Sequence, residues 1–208
     1  MSEHHHHHDH DHDQDHDHDR ELEELTEEER ERYEEQEREY LRRQALAQIR
    51  QYPDPALRMK ANEVTEFDDY LLQLVERMTD LMHDAQGVGL AATQVGVLRR
   101  LFVFEPDEDG PRALVNPVIV ERSDETEPDE EGCLSLQGVR VPVDRATRIV
   151  VEGKDENGQD VRYELEGYAA RVAQHEFDHL DGVLIIDRTD DEHRKGALAV
   201  LRPRAVLR

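Results

Sequence analysis

An α+β fold is predicted by three features of the sequence. Short β-type runs cluster between residues 101 and 165; a segment with helical periodicity stands on each side of the cluster; and no helical segment separates one run from the next, so the βαβ alternation of a doubly wound sheet is missing. At 208 residues the chain is long enough for one domain with a substantial core plus an appendage.

The appendage comes first. Residues 4–19 are almost entirely His and Asp and hold nine of the chain's 13 histidines. Such a tract buries no apolar surface, so residues 1–20 are expected to be disordered. Imidazoles at this density bind Ni, Zn or Cu loosely. A metal reservoir and an expression tag or neutral drift both remain open, and metal uptake after deletion of residues 1–44 separates them. Residues 21–46 are dominated by Glu, Arg, Gln and Leu. Thr26 and Glu29 form a capping-box pattern, and Glu28/Arg32, Glu34/Arg38 and Glu39/Arg43 are i,i+4 pairs in the favourable order. The apolar stripe (Leu22, Leu25, Tyr33, Tyr40) lacks sustained heptads, which predicts a solvated helix over a coiled coil.

The main domain is assigned to residues 47–190, with globular patterning beginning near Ile49. Tyr52-Pro53-Asp54-Pro55 reads as a turn or extended segment. Leu71, Leu74, Val75, Met78, Leu81 and Met82 recur at helical spacing over 68–85, with Asp68 or Asp69 as N-cap. After a glycine-rich break at 87–96, strands are expected at 101–104, 113–120, 139–143, 148–152 and 161–165. Asn157-Gly158 marks a hairpin between the last two. A final helix covers about 168–180, and residues 191–208 read as a tail that is basic at Arg194, Arg202, Arg204 and Arg208.

Composition excludes some functions. A net charge of −25 and the absence of a basic run argue against DNA or RNA as a ligand of the fold itself. The apolar runs are too short for a bilayer. The single cysteine, Cys133, cannot form an internal disulfide, so a reduced cytoplasmic setting is the default. A monomer is the expected state.

The chemistry is concentrated in Gln174-His175-Glu176-Phe177-Asp178-His179-Leu180, which contains H-E-x-x-H. On a helix, His175 and His179 share one face and can grip one metal ion, with Glu176 beside it as a proton acceptor. A catalytic site needs a third protein ligand. The metzincin solution requires a histidine at position 185, which is Ile185. A downstream glutamate, as in thermolysin-like peptidases, leaves only Glu192. Upstream, Glu131-Gly132-Cys133-Leu134-Ser135 offers Cys133, whose thiolate would suit Zn, Fe, Co or Ni, though a lone cysteine is also an ordinary small buried hydrophobe. Asp178 and Gln174 flank the histidines as candidate supporting groups or as plain helix-surface residues.

A third segment, Gly87-Val88-Gly89-Leu90-Ala91-Ala92-Thr93-Gln94, allows close approach of backbone to a ligand and ends on an amide donor. Taken in order, G-x-G-L-A-x-x-Q, E-G-C-L-S and Q-H-E-x-D-H-L resemble the signature of the bacterial peptide deformylases, with similarity running from about residue 47 to 190. The resemblance implies small antiparallel or mixed sheets packed around a central C-terminal helix. It implies a divalent metal, Fe2+ foremost with Zn2+, Ni2+ or Co2+ as substitutes, on Cys133, His175 and His179. Glu176 is then the catalytic carboxylate, and the Gln94 amide and the Leu134 backbone N–H face the developing oxyanion. The substrate would be the N-formylmethionyl end of a nascent polypeptide, lying beside the Val88-Gly89 backbone and the segment before Cys133, with Val88, Glu131, Arg140 and Val172 lining a methionine pocket. Arg140 has a second reading as a partner for Glu131, and Val172 as plain core. Docking of the C-terminal region near the ribosome belongs to the same implication. A zincin-like metallopeptidase using Glu192 is the alternative.

Overall fold

A computed structural model describes residues 26–202. The chain divides into two compact units, residues 1–41 and 42–208. Helix α1 (Glu27–Gln48) begins in the first at the expected capping box: Thr26 N–H donates to Glu29 Oε2 at 2.9 Å, and Glu29 N–H donates to Thr26 Oγ1 at 3.3 Å. The His/Asp tract, Leu22, Leu25, Arg204 and Arg208 lie outside the described residues.

In the second unit, helix α2 (Asp69–Asp84) is capped by the Asp68 side chain, which accepts from Leu71 N–H at 3.0 Å. Seven strands follow: β1 (Gly89–Ala91), β2 (Leu101–Phe104), β3 (Arg112–Arg122), β4 (Thr126–Gly132), β5 (Arg140–Ala146), β6 (Arg148–Lys154) and β7 (Asp160–Glu166). Helix α3 (Gly167–Leu180), the short α4 (Ile185–Arg188) and α5 (Asp191–Leu201) complete the chain. Strands β1-β2-β3-β6-β7 form one antiparallel sheet, and β4 pairs with β5 in a separate antiparallel hairpin.

Side-chain alternation on β2 assembles two cores from one strand. Leu101 and Val103 pack with Leu71, Leu74, Met78 and Met82 of α2. Phe102 and Phe104 pack with Ala170, Ala173 and Leu180 of α3. The sheet is therefore covered on both faces, which explains why 101–104 reads as an unbroken apolar run. A third cluster joins Val141 and Val143 of β5 to Ile185 and Ile186 of α4 and Ala197 of α5.

Three readings from sequence need amendment. Residues 191–201 form a helix, capped by Asp190, whose side chain accepts from the Glu192 and His193 N–H groups. Ala197, Leu198 and Leu201 recur at helical spacing and join the third cluster, a stripe that the arginines obscure. Strand β1 lies inside the glycine-rich break, because three buried residues, Gly-Leu-Ala, are too few to show a period. Strand β4 is acidic and contains Pro128; almost all of it faces solvent at a sheet edge, where proline is tolerated and no apolar alternation is required.

The end of α3 fixes the second histidine. Gly182 adopts φ +71° and donates to His179 O at 3.2 Å, and Val183 N–H donates to Asp178 O at 2.9 Å. A side chain at Gly182 would strike the Arg58 carbonyl oxygen, its Cβ lying 2.5 Å away. The helix thus stops immediately after the turn carrying His179.

Candidate active site

Three elements meet at one point. His175 and His179 lie one turn apart on α3, and their Nε2 atoms are 3.2 Å apart. Cys133 follows the last residue of β4 and brings its Sγ to 3.3 Å from His179 Nε2. One donor atom from each of the three residues falls within a mutual 4.8 Å. Tetrahedral coordination with metal–N about 2.0–2.1 Å and metal–S about 2.3 Å requires donors roughly 3.3–3.6 Å apart, close to the two separations measured from His179 Nε2. His175 Nδ1 lies 3.0 Å from Glu131 Oε2; with its proton in that hydrogen bond, the Nε2 lone pair is free to bind a cation. Ile185 is buried in the third core cluster, and Glu192 is exposed in the first turn of α5, so neither supplies a ligand.

Glu176 is 4% exposed, and its Oε2 has no hydrogen-bond partner among the described residues. Burial pushes its pKa up to about 7 in the metal-free protein, against the opposing charge of His175. Gly89 on β1 makes room for it: a Cβ there would lie 2.5 Å from Glu176 Oε1 and 2.9 Å from Cδ and Cγ. Burial also lowers the pKa of His179, reinforced by the His175 ring. For His175, burial is outweighed by hydrogen bonds to Cys133 and Glu131, which raise it.

Gln94 is buried in the one-turn helix after β1. Its Oε1 accepts from Ala91 N–H at 2.8 Å, which turns Nε2 toward Ser135 Oγ at 3.0 Å and Cys133 Sγ at 3.7 Å. Leu134 follows the cysteine, and its carbonyl accepts from the Gln51 side chain at 2.9 Å. These groups open onto a cleft of about 790 Å³, whose walls include Val88, Gly89, Gln94, Cys133, Arg140 and Val172. Val88 is 38% exposed, whereas Val172 is buried and also belongs to the core around α3.

Glu131 departs from its expected use. It borders the cleft, but its Oε1 accepts from Arg145 Nε and Arg171 Nη1, and its Oε2 from Arg145 Nη2, all at 2.9 Å, besides contacting His175. Arg140 is not its partner. In the β4–β5 register Glu131 stands opposite Val141 and Gly132 opposite Arg140, so Arg140 projects from the other, exposed face of the hairpin. Sequence reasoning missed Arg145 and Arg171. Asp178 and Gln174 are supporting groups: Asp178 accepts from Arg145 at 2.6 Å and from Arg188, and Gln174 bonds both the N–H and the carbonyl of Ala146.

Burial alone would raise the pKa of Glu131, but the Arg145 and His175 hydrogen bonds and charges hold it at about 2. Its contribution to the stability of the metal-free protein is therefore present above its ordinary pKa of 4.5 and lost as pH falls toward 2. In acid titrations of metal-free protein we expect on the order of 3 kcal/mol to disappear across that window, a loss absent from Glu131→Gln. Equal pH slopes for the two proteins would contradict this.

Comparison with known proteins gives a consistent answer. The polypeptide deformylase family model matches residues 46–195. The peptide deformylase of Thermotoga sp. strain RQ2 is 52% identical over 146 residues, covering 70% of this chain and 88% of that protein. The crystal structure of peptide deformylase from Thermotoga maritima superposes with a TM-score of 0.67 at 52% identity, covering 68% of this chain and 96% of that one. A peptide deformylase structure from Legionella pneumophila gives 0.71 at 39% identity, covering 74% and 91%. The matched region contains all three elements that converge at the cleft, and the chain belongs to the peptide deformylases, a family of metal-dependent hydrolases.

Proposed function

We propose that the cleft hydrolyses the N-terminal formyl group of formylmethionyl polypeptides, with Cys133, His175 and His179 holding one divalent ion, Fe2+ foremost, and Glu176 moving the proton. The observation that carries this reading is the convergence of a thiol and two imidazoles beside a buried carboxylate with an unpartnered oxygen. A divalent ion held there supplies an acidified water and a Lewis acid for the formyl carbonyl. Glu176 accepts the proton of the attacking water at Oε2 and passes it to the leaving amine, acting as base and then acid. The Gln94 amide, anchored through Oε1, and the Leu134 N–H donate to the oxygen that becomes negative; one such donor lowers the barrier by about 2.7–4 kcal/mol.

The substrate lies extended between two open strand edges. Strand β1 ends the five-stranded sheet and β4 belongs to a two-stranded hairpin, so each has an unpaired side. Main-chain pairing there gives affinity with little demand on sequence, while Val88, Gly89 and Val172 contact the methionine side and Arg140 lies at the rim. The lone cysteine accords with a reduced cytoplasmic setting, a monomer is the working state, and nascent chains at the ribosome are the natural source of formylated termini.

The test compares formate release from formyl-Met-Ala-Ser with internal cleavage of the same peptide lacking the formyl group. We expect formate release dependent on added metal and no internal cleavage. Internal cleavage without formate would replace this reading with a zincin-like peptidase. Among the described residues the converging donors are Cys133, His175 and His179, without Glu192, so the deformylase reading is preferred.

A further inference from the structure

The cleft extends beyond the residues that converge at its base. On the β1 side its wall runs backward along the chain from Gly89 through Val88, Gly87 and Gln86 to Ala85. Leu90 and Ala91, which follow Gly89, are fully buried and take no part in it. Glu176 packs against Gly89, so chemistry belongs at one end of this wall and a bound peptide leaves toward the other. A further element contributes to the same cleft: Arg42 of α1, a half-buried residue. The helix register explains its presence. Ala45 and Ile49 are buried in the α2 core and Leu46 packs against it, and Arg42 precedes them on the same face of the helix. Ala85, at the far end of the wall, belongs to the same core cluster. Residues 42–48 thus lie in the second unit, together with the cleft. Arg42 stands outside the stretch matched by the family model, residues 46–195, so membership of the family does not account for it.

Resting on the deformylase reading, with an extended peptide along the β1 edge, we propose that Arg42 is a specificity-determining residue that favours a carboxylate side chain at the third residue of the formylated peptide. The methionine occupies the cleft beside Val88 and Gly89, and each further residue advances about 3.3 Å. The extended wall ends at Gly87, because Gln86 turns the backbone to φ +57° where α2 closes. The third residue therefore leaves the strand edge at the end that α1 flanks. A guanidinium there can donate two parallel hydrogen bonds to a carboxylate, and its own half-burial limits screening by water. The other charged groups on the wall do not substitute for it: Asp129 and Glu130 repel an acid, and Arg140 stands on the β4–β5 hairpin. A cation that merely completes the C-terminal end of α2 would be indifferent to the sequence of the peptide.

The test measures formate release by the metal-loaded, full-length protein from formyl-Met-Ala-Glu-Ser-amide and formyl-Met-Ala-Gln-Ser-amide, at low and high salt. The C-terminal amide removes the terminal carboxylate as a competing anion. Wild type should turn over the Glu peptide with a kcat/KM about 2–5-fold above that of the Gln peptide at low salt, as for a partly exposed ion pair. The advantage should lie in KM with kcat unchanged, because the contact is remote from the reacting bond. It should shrink at high salt. Arg42→Lys should keep most of the preference, and Arg42→Gln should bring the ratio of the two peptides to one. Equal kcat/KM for both peptides in wild type would overturn the proposal. A preference that survives Arg42→Gln would also overturn it and pass the role to Arg140. So would a lower melting temperature in Arg42→Gln with both peptides slowed alike, which would make Arg42 a structural partner of α2. Release of formate from neither peptide by wild type would instead remove the deformylase reading, and this proposal with it.

Discussion

Glu176→Gln should lower kcat/KM for formyl-Met-Ala-Ser by about 10²–10⁴-fold, the range set by removing one positioned proton carrier. The amide fills the same space but accepts no proton, so metal content and fold should be retained. A second consequence separates this loss from damage. The native carboxyl is buried and its pKa is raised from 4.5 to about 7, so the folded metal-free protein disfavours the ionised form. Its destabilising effect is absent below pH 4.5, grows as pH rises toward 7 and is complete above it. Glu176→Gln removes that effect and should make the metal-free protein more stable at pH 8, by an amount on the order of 3 kcal/mol, with little change at pH 4. Lost activity combined with gained alkaline stability marks a residue retained for chemistry at a cost to the fold. If activity and alkaline stability fell together, Glu176 would be a structural residue.

The three candidate metal donors were legible in the sequence because two of them are spaced by the helix repeat itself. His175 and His179 need only four residues of helix to meet, and Gly182 ends that helix on schedule. Cys133 required a tertiary step, which its E-G-C-L-S context and resemblance to a known family supplied. The apolar elements were equally accessible: α2 and β2 carry their burial in their patterning. What escaped was polar and long-range. Arg145 and Arg171 reach Glu131 across 14 and 40 residues, and no periodicity announces an ion pair between a strand and a helix. Arg171 lies on the helical segment that carries the motif, where charge suggests solvent, yet it is only 9% exposed. Pairing Glu131 with Arg140 failed for a simpler reason: without the strand β4 in view, the register that sends Arg140 to the opposite face is invisible.

Gly89→Ala tests the packing behind the carboxylate. A methyl group is small, and Gly89 lies in an ordinary β-strand, so the backbone tolerates alanine. The obstacle is Glu176, three of whose atoms would lie 2.5–2.9 Å from the new Cβ, closer than van der Waals contact allows. Glu176 is itself buried, so it cannot retreat into solvent, and a shift of about 1 Å at a catalytic group can cost on the order of 10²-fold in rate. We expect Gly89→Ala to lose about that much kcat with metal affinity unchanged. The decisive comparison is made in the Glu176→Ala background, where the side chain that would be displaced is gone. If Gly89 acts through Glu176, adding Gly89→Ala there should change the residual rate very little, and the two substitutions will be strongly non-additive. An equal loss in both backgrounds would mean that Gly89 acts on the substrate directly, through the close approach of its backbone. The glycine of the first motif would then be explained by peptide binding, and the space it leaves for Glu176 would be incidental.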